Sequence, residues 1–364
     1  MNNTPYEVSI VVPTFNEIKN VQRLIESLAQ ALINYRWEVV FVDDDSPDMT
    51  WKLVKEIAAK DSRVRCIRRQ GRRGLAGACI EGMASSAAPV VVVMDGDLQH
   101  DENIIPEMIA TLHKGDLDLI VGSRFSEGGA HATGFSKGRA SASNLAAFLS
   151  RRVADSQIQD LMSGFFALRR EYFDEISGKL STSGFKILLD ILTIRTHPPR
   201  TLEIGYRFRE RYDGDSKFDL RAMWDFFAFL VNKASGGIIP EKFVKFAVIG
   251  GLGLILHLVL LRILLTSVHV DFAASQTVAT VIAMINNFFL NNALTYQNTQ
   301  LRGFPLLKGL ILFCIICSIG AIGNVGIASW IFAQSHIWWL AGVTGAVTGA
   351  VWNYAISSAF IWRK

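Results

Sequence analysis

At 364 residues the chain has room for about two domains. Its net charge of +4 is too modest for a nucleic-acid binder and suits attraction of a few juxtamembrane side chains to anionic lipid. The charges are unevenly placed: after Lys245 only Arg262, Asp271, Arg302, Lys308, Arg363 and Lys364 carry one, whereas the N-terminal two-thirds has ordinary globular composition. A soluble domain followed by a membrane domain is the expected organisation. The polar start, Met1 to Tyr6, reads as leading straight into a strand with no signal peptide.

In chain order, Val8–Val12 is predicted as a strand ending at Pro13-Thr-Phe-Asn-Glu17, and Asn20–Leu32 has helical periodicity. Trp37–Val42 is a second strand, closing on Asp43-Asp44-Asp45-Ser46-Pro47-Asp48, with Thr50–Lys60 as the next helix. Val64–Arg68 is a third strand, and Gly71-Arg-Arg-Gly-Leu-Ala-Gly77 opens another helix. Val90–Met94 is apolar without alternation, the signature of a strand buried on both faces of a parallel sheet. It delivers Asp95-Gly96-Asp97 at its C-terminal end, where open α/β sheets bind ligands. Gly96 is expected to let the backbone turn and a ligand approach. Two carboxylates beside a diphosphate repel it unless a divalent cation lies between them. Leu117–Val121 then leads into Gly122-Ser-Arg124. Strands alternating with helices mean a mostly parallel, Rossmann-like α/β sheet.

Glu17, Asp43–Asp45 and Asp95/Asp97 therefore stand at the ends of successive strands. Singly, each suits a turn or a helix cap; together they imply a nucleotide crevice. The chain has no Walker A sequence and no Gly-x-Gly-x-x-Gly, which counts against P-loop hydrolases and nicotinamide enzymes. Cys66 and Cys79 fit a reduced cytosolic domain, and Cys314-x-x-Cys317 lies in an apolar helix without further ligands, so packing is its expected role.

The ordered set Val-Pro-Thr-Phe-Asn-Glu, Val-Asp-Asp-Asp-Ser-Pro-Asp, Asp-Gly-Asp-Leu-Gln-His and Val-Gly-Ser-Arg resembles the GT-A glycosyltransferases of family 2. Asp160-x-x-Ser-Gly-Phe-Phe-Ala-Leu168, Gly184-Phe-Lys-Ile-Leu-Leu-Asp190 and Phe208-x-x-Arg-x-x-Gly-x-Ser-Lys217 narrow the resemblance to the dolichol (polyprenyl) phosphate mannose synthases, over roughly residues 6–220. The resemblance implies a metal-dependent, inverting transfer of mannose from GDP-mannose to a polyprenyl phosphate. It places Pro13, Phe15, Glu17, Val42 and Asp44 around the nucleotide. Asp95 and Asp97, with Gln99, would hold a Mg²⁺ or Mn²⁺ bridging the diphosphate, close to Gly96. Arg211 and Lys217 would close over the leaving group, and with Asp97 they are the catalytic candidates. Arg124, Arg139 and Ser143 would receive the acceptor phosphate, and His100 is read as packing behind the site. Phe15 stands where many relatives have Tyr, and Gly96 where Ala is more usual, a change expected to cost little. UDP-glucose is the alternative donor.

Four apolar stretches, roughly 243–266, 272–296, 305–333 and 337–361, are each long enough to cross a bilayer of about 30 Å. Lys242, Lys245, Arg302, Lys308, Arg363 and Lys364 all fall on one side, so the N-terminal domain and the C-terminus are expected in the cytoplasm, on a multi-pass protein. Residues 1–217 would be the transferase domain, 218–240 an aromatic helix lying in the interface, and 241–364 the four-span membrane domain. Lys245–Gly253 is similar to Leu312–Gly320, and Asn287–Tyr296 to Asn353–Trp362, a parallel repeat of two-helix units. The segment resembles the GtrA-like membrane family. The repeat, with Arg262 inside a span, motivates a second alternative in which the spans carry a lipid-linked sugar across the membrane. Gly250, Gly251, Gly253, Gly342, Gly345 and Gly349 favour close helix packing, within one chain or in a homo-oligomer.

Overall fold

The computed structural model describes residues 6–125, 158–181, 187–194, 196–209, 220–269, 271–335 and 337–363. They divide into two compact units, Met1–Phe226 and Phe227–Lys364.

In the first unit the continuous apolar runs form the strands expected of them: β1 (Val8–Thr14), β2 (Trp37–Asp43), β3 (Val64–Arg68), β4 (Val90–Val93) and β5 (Leu119–Ser123). Every residue of β1, β2, β4 and β5 is buried, as strands covered on both faces must be. Two further strands, β6 (Phe166–Arg169) and β7 (Thr201–Gly205), complete a sheet of order β3-β2-β1-β4-β6-β5-β7. β6 is antiparallel to both β4 and β5, and the other pairings are parallel. Helices α1 (Val21–Ala31), α2 (Thr50–Ala58), α3 (Leu75–Ser85), α4 (Ile105–His113), α5 (Arg170–Ile176) and α6 (Ile187–Leu192) accompany the strands. Leu24 and Leu28 of α1 and Ile109 of α4 join Ile10, Phe41 and Val92 in one core. Full burial stabilises each such side chain by roughly 1.5–3 kcal/mol. The chain moves outward from β1 to β2 and β3, then returns to place β4 on the other side of β1. The switch point of the sheet is therefore the β1/β4 crevice.

Asp118 ties the β5–β6–β7 edge together. Its carboxylate accepts from Arg169 Nη2 (2.6 Å), from Arg200 Nη2 and Nε (2.8 and 2.9 Å) and from the Arg200 amide (3.0 Å). Arg200, then its backbone amide and Arg169, hold the Asp118 carboxyl well below the usual carboxylate range. A depressed folded pKa contributes stability that is complete above the unfolded value of about 3.9 and is lost as pH falls through the folded one. Asp118→Asn is therefore expected to lower the melting temperature of the first unit at pH 7. In paired melts the gap to wild type narrows only below about pH 4.

Helix α7 (Leu220–Ala234) runs across the division between the units. The second unit holds α8 (Glu241–Thr266), α9 (Phe272–Leu290), α10 (Phe304–Ser335) and α11 (Trp338–Phe360). Among the described residues, Glu241–Thr266, Ala274–Thr295 and Phe304–Ile331 are long and apolar enough to cross a membrane. The fourth expected span is the 23-residue α11. α9 ends in a turn of π-helix, Asn291–Thr295.

The sequence repeat is visible in the packing. A Cβ on Gly253 would fall 2.6 Å from Asn287 Cγ, and one on Gly320 would fall 3.0 Å from Asn353 Cγ, so each helix pair closes through the same glycine–asparagine contact. Repeat-equivalent side chains also meet each other. Tyr296 and Trp362 stack at 4.1 Å with 4° between their planes, and Phe246 meets Phe313 edge-on at 6.4 Å. Corresponding residues touch in this way when a two-fold-like axis passes between them. Asn292 braces this end: its Oδ1 accepts from Trp362 Nε1 (3.0 Å) and the Leu301 amide (2.9 Å). Lys242 Nζ lies 5.8 Å over the Tyr296 ring, which puts a basic residue at the same end. Arg262, four residues from the end of α8, is exposed, as a cation that extends to the interface should be.

Candidate active site

The loops at the C-terminal ends of β1, β2 and β4 contain four non-glycine residues with positive φ: Asn16 (59°), Asp45 (58°), Met49 (67°) and Leu98 (64°). Backbone strain of this kind costs of order 1–3 kcal/mol per residue and gathers at functional sites. Gly96 itself lies outside the positive-φ region: the turn expected of it is made by Leu98, and a Cβ on Gly96 would sit 3.2 Å from Val12 Cγ1. An alanine there would require Val12 to give by a few tenths of an ångström.

Of the residues expected around a nucleotide, Pro13 and Val42 face each other across the β1–β2 pairing and are buried. Phe15 carries the Arg73 guanidinium 4.8 Å over its ring. Glu17 accepts from Asn20 Nδ2 (2.7 Å). Asp44 is engaged with the glycine loop: Arg69 Nη1 donates to its Oδ1, and the Gly74 amide to its Oδ2 (2.6 Å). Burial pushes the Asp44 carboxyl up, and Gly74 and Arg69 pull it back. Asp43 serves the fold instead, accepting from Thr14 Oγ1 (3.0 Å), the Ser46 amide (2.8 Å) and Ser46 Oγ (2.6 Å).

Asp95 and Asp97 follow β4 at the switch point. The Asp95 side chain is 41 % exposed, whereas Asp97 is buried and accepts from the Gln99 amide at 3.2 Å. Gly164, in the segment entering β6, lies directly behind Asp95: a Cβ there would be 2.9 Å from Asp95 Cγ and 3.1 Å from Oδ1. A recess of about 60 Å³ opens beside Asp95, lined among others by Cys79, Val93, Ser163, Gly164 and Leu188. Burial pushes the Cys79 thiol far up, so it is no nucleophile. Gln99 Nε2 is committed to the Arg209 carbonyl (3.2 Å), leaving Oε1 as the atom available to a cation.

Among the described residues no group of three or more His, Cys, Asp or Glu side chains could hold a metal ion by itself. Mg²⁺ and Mn²⁺ do not require one: such ions take one or two carboxylates and complete their shell with substrate phosphates and water. Two strand-end carboxylates, one of them open to solvent, fit a cation of that kind.

Arg124 is held by the buried Asp160 through Nε (2.7 Å) and Nη2 (2.8 Å), a two-pronged pair that keeps the guanidinium charged. Any anion it receives shares it with Asp160. Arg139, Ser143, Arg211 and Lys217 lie outside the described residues. Sequence reasoning gave no role to Arg69 or Tyr206, and read Gly164 only within the Asp160–Leu168 motif. Tyr206, just past β7, places its hydroxyl 2.6 Å from His100 Nδ1.

Residues 9–177 match glycosyl transferase family 2, and residues 245–362 match the GtrA/DPMS transmembrane domain. Over 98 % of its length the chain is 32 % identical to a dolichol-phosphate mannosyltransferase of Pyrococcus furiosus, covering 99 % of that protein. This chain belongs to the dolichol-phosphate mannosyltransferase family. Within that family it is also 29 % identical to a Mycosarcoma maydis member, over 67 % of this chain and 84 % of that one. A dodecaprenyl-phosphate galacturonate synthase of Rhizobium johnstonii is 37 % identical over 32 % of this chain and 36 % of its own length. The mannosyltransferase relatives and the family 2 match make the protein a glycosyltransferase, with an α/β catalytic domain followed by a helical membrane domain.

Proposed function

We propose that the enzyme transfers mannose from GDP-mannose to a polyprenyl phosphate on the cytoplasmic leaflet, in a metal-dependent, inverting displacement. The observation that carries this reading is the seat of Asp95 and Asp97 at the β1/β4 switch point, backed by Gly164. Relatives named for dolichol phosphate and dodecaprenyl phosphate support a polyprenyl phosphate as acceptor. Residues 1–217 act as the transferase, 218–240 as an interfacial helix presenting the site to the leaflet, and 241–364 as the multi-pass anchor. The basic residues around Lys242 face the cytoplasm.

In this reading Asp95, Asp97 and Gln99 would hold a Mg²⁺ or Mn²⁺, which would supply positive charge against the departing diphosphate. Phe15 stacks on the base, and Glu17 and Asp44 accept from ribose hydroxyls. Arg211 and Lys217 approach the leaving group and stabilise it as the glycosidic bond breaks. Arg124, Arg139 and Ser143 orient the acceptor phosphate so that its oxygen attacks the anomeric carbon from the face opposite the diphosphate. A phosphate monoester is already ionised at neutral pH, so no general base is required.

Full-length protein with labelled GDP-mannose, polyprenyl phosphate and Mn²⁺ is expected to yield a lipid-soluble sugar phosphate. No consumption of any nucleotide sugar with any divalent ion would sink the proposal. In thermal shifts with Mn²⁺, GDP is expected to stabilise the protein more than UDP. The reverse order would reassign the donor to a UDP-sugar such as UDP-glucose.

A further inference from the structure

The residue after Gln99 is a buried histidine with both ring nitrogens engaged. His100 is 3 % exposed, its Nδ1 lies 2.6 Å from the Tyr206 hydroxyl, and its Nε2 lies 3.4 Å from Asp95 Oδ2. Phe165, Tyr206 and Phe208 surround the ring, with centroids 5.1, 5.7 and 5.7 Å away. A carboxylate can only accept, so Nε2 carries the proton that faces Asp95. In the tautomer with Nε2–H, Nδ1 is an acceptor and the Tyr206 phenol its donor. Burial pushes the ionisation of Tyr206 far up, so the phenol keeps that proton. The neighbouring segment is stitched to the same stretch: the Arg209 amide donates to the Gln99 carbonyl (2.9 Å), and the Arg209 guanidinium to the His100 carbonyl (3.3 Å) and Glu102 (2.6 Å).

We propose that His100, held through Nδ1 by the Tyr206 hydroxyl, is a positioning residue that fixes the orientation in which Asp95 meets the divalent cation. This rests on the reading in which Asp95 is a cation ligand. His100 and Gly164 grip one carboxylate together: the imidazole supplies a donor to Oδ2, and the missing side chain at Gly164 supplies the space. At 3.4 Å the imidazole contact is at the long end for a hydrogen bond, so it aims the carboxylate more than it binds it. Any buried histidine must satisfy its ring nitrogens; what sets this one apart is that the group facing Nε2 is the strand-end carboxylate of Asp95. Partners that orient a ligating group are worth 10–100-fold in metal affinity.

The test is Mn²⁺ binding in the presence of GDP, followed by electron paramagnetic resonance on full-length protein, beside melting curves and steady-state kinetics. Asp95→Ala is expected to abolish Mn²⁺ binding. If it does not, the cation reading fails and this proposal fails with it. His100→Ala is expected to weaken Mn²⁺ about tenfold, raising the apparent activation constant for the metal more than it lowers kcat at saturating metal. His100→Gln, whose amide N–H reaches the position of Nε2, is expected to recover most of that loss. Tyr206→Phe keeps the ring and drops the donor, and is expected to weaken Mn²⁺ by several-fold at a near-normal melting temperature. Given an Asp95→Ala loss, wild-type Mn²⁺ affinity in Tyr206→Phe, or in a folded His100→Ala, would overturn the positioning role. So would a His100→Gln variant no better than His100→Ala.

Discussion

Replacing Asp97 by alanine or asparagine is expected to abolish sugar transfer while both units stay folded. Asp97 is buried, and its Oδ1 caps the turn by accepting from the Gln99 amide. Asparagine keeps an acceptor for that amide and removes only the charge; alanine removes both. If the carboxylate holds a cation against the diphosphate, losing the charge removes stabilisation that grows as the leaving group departs. Electrostatic groups of that kind are worth about 10²–10³-fold each, and loss of the cation compounds the effect. Turnover of Asp97→Asn should therefore fall on the order of 10³-fold or more, about 4 kcal/mol in barrier. Its melting temperature should stay near that of wild type, and alanine should also lose some stability through the uncapped turn. Labelled transfer assays and melting curves together make the check. Asp97→Asn working within tenfold of wild type would mean that the charge is not used in the reaction.

The catalytic half of the fold was legible where local and global signals agree. Val90–Val93, short, β-branched and closed by Asp95-Gly96-Asp97, reads as a strand covered on both faces, and the strand-end rule then locates Asp95 and Asp97. β6 was not legible. Phe166–Arg169 is four residues long and reverses direction between two strands that precede it, so its place depends on pairing with Val90–Val93 and Leu119–Val121 rather than on its own pattern. β7 escaped because Thr201–Gly205 is a short edge strand, with Leu202 exposed. The same limit hid what Gly164, Tyr206 and Arg69 do, each acting on a residue at least 25 positions away. At Gly96 the turn was read two residues early: Gly96 lies outside the positive-φ region, and Leu98 takes the strained conformation.

In the membrane unit the repeat could be read from Gly253/Gly320 and Asn287/Asn353, but its arrangement about a shared axis could not. Parallel-repeat transporters use the interface between their repeats as the pathway. Here that axis, at the end bearing Lys242, is filled by the Tyr296–Trp362 stack and the Phe246–Phe313 pair. Exposed Arg262 adds no charge to the interior.

Gly164→Ala is expected to disable the enzyme through one methyl group. Gly164 lies outside the left-handed region, so alanine brings no backbone strain, and its effect is steric. The added carbon would sit 2.9 Å from Asp95 Cγ and 3.1 Å from Oδ1, closer than side-chain carbons approach. One partner must give. The Gly164 backbone is pinned: Ser163 Oγ donates to the Gly122 carbonyl (2.7 Å) and accepts from the Phe165 amide (3.1 Å), while Phe165 is fully buried. With the backbone pinned and the Asp95 side chain 41 % exposed, the carboxylate is the group expected to shift away from Gly164. Misplacing one of two carboxylate ligands should weaken Mn²⁺–GDP binding by about 10–100-fold, and transfer at fixed metal should fall at least as far. The fold should lose no more than the ~1–3 kcal/mol typical of an overpacked site. Calorimetric titration with Mn²⁺ and GDP reads the first effect, and excess metal should recover part of the transfer rate. If Gly164→Ala binds Mn²⁺–GDP as wild type does, the glycine does not set the Asp95 carboxylate, and the cradle has no part in the chemistry.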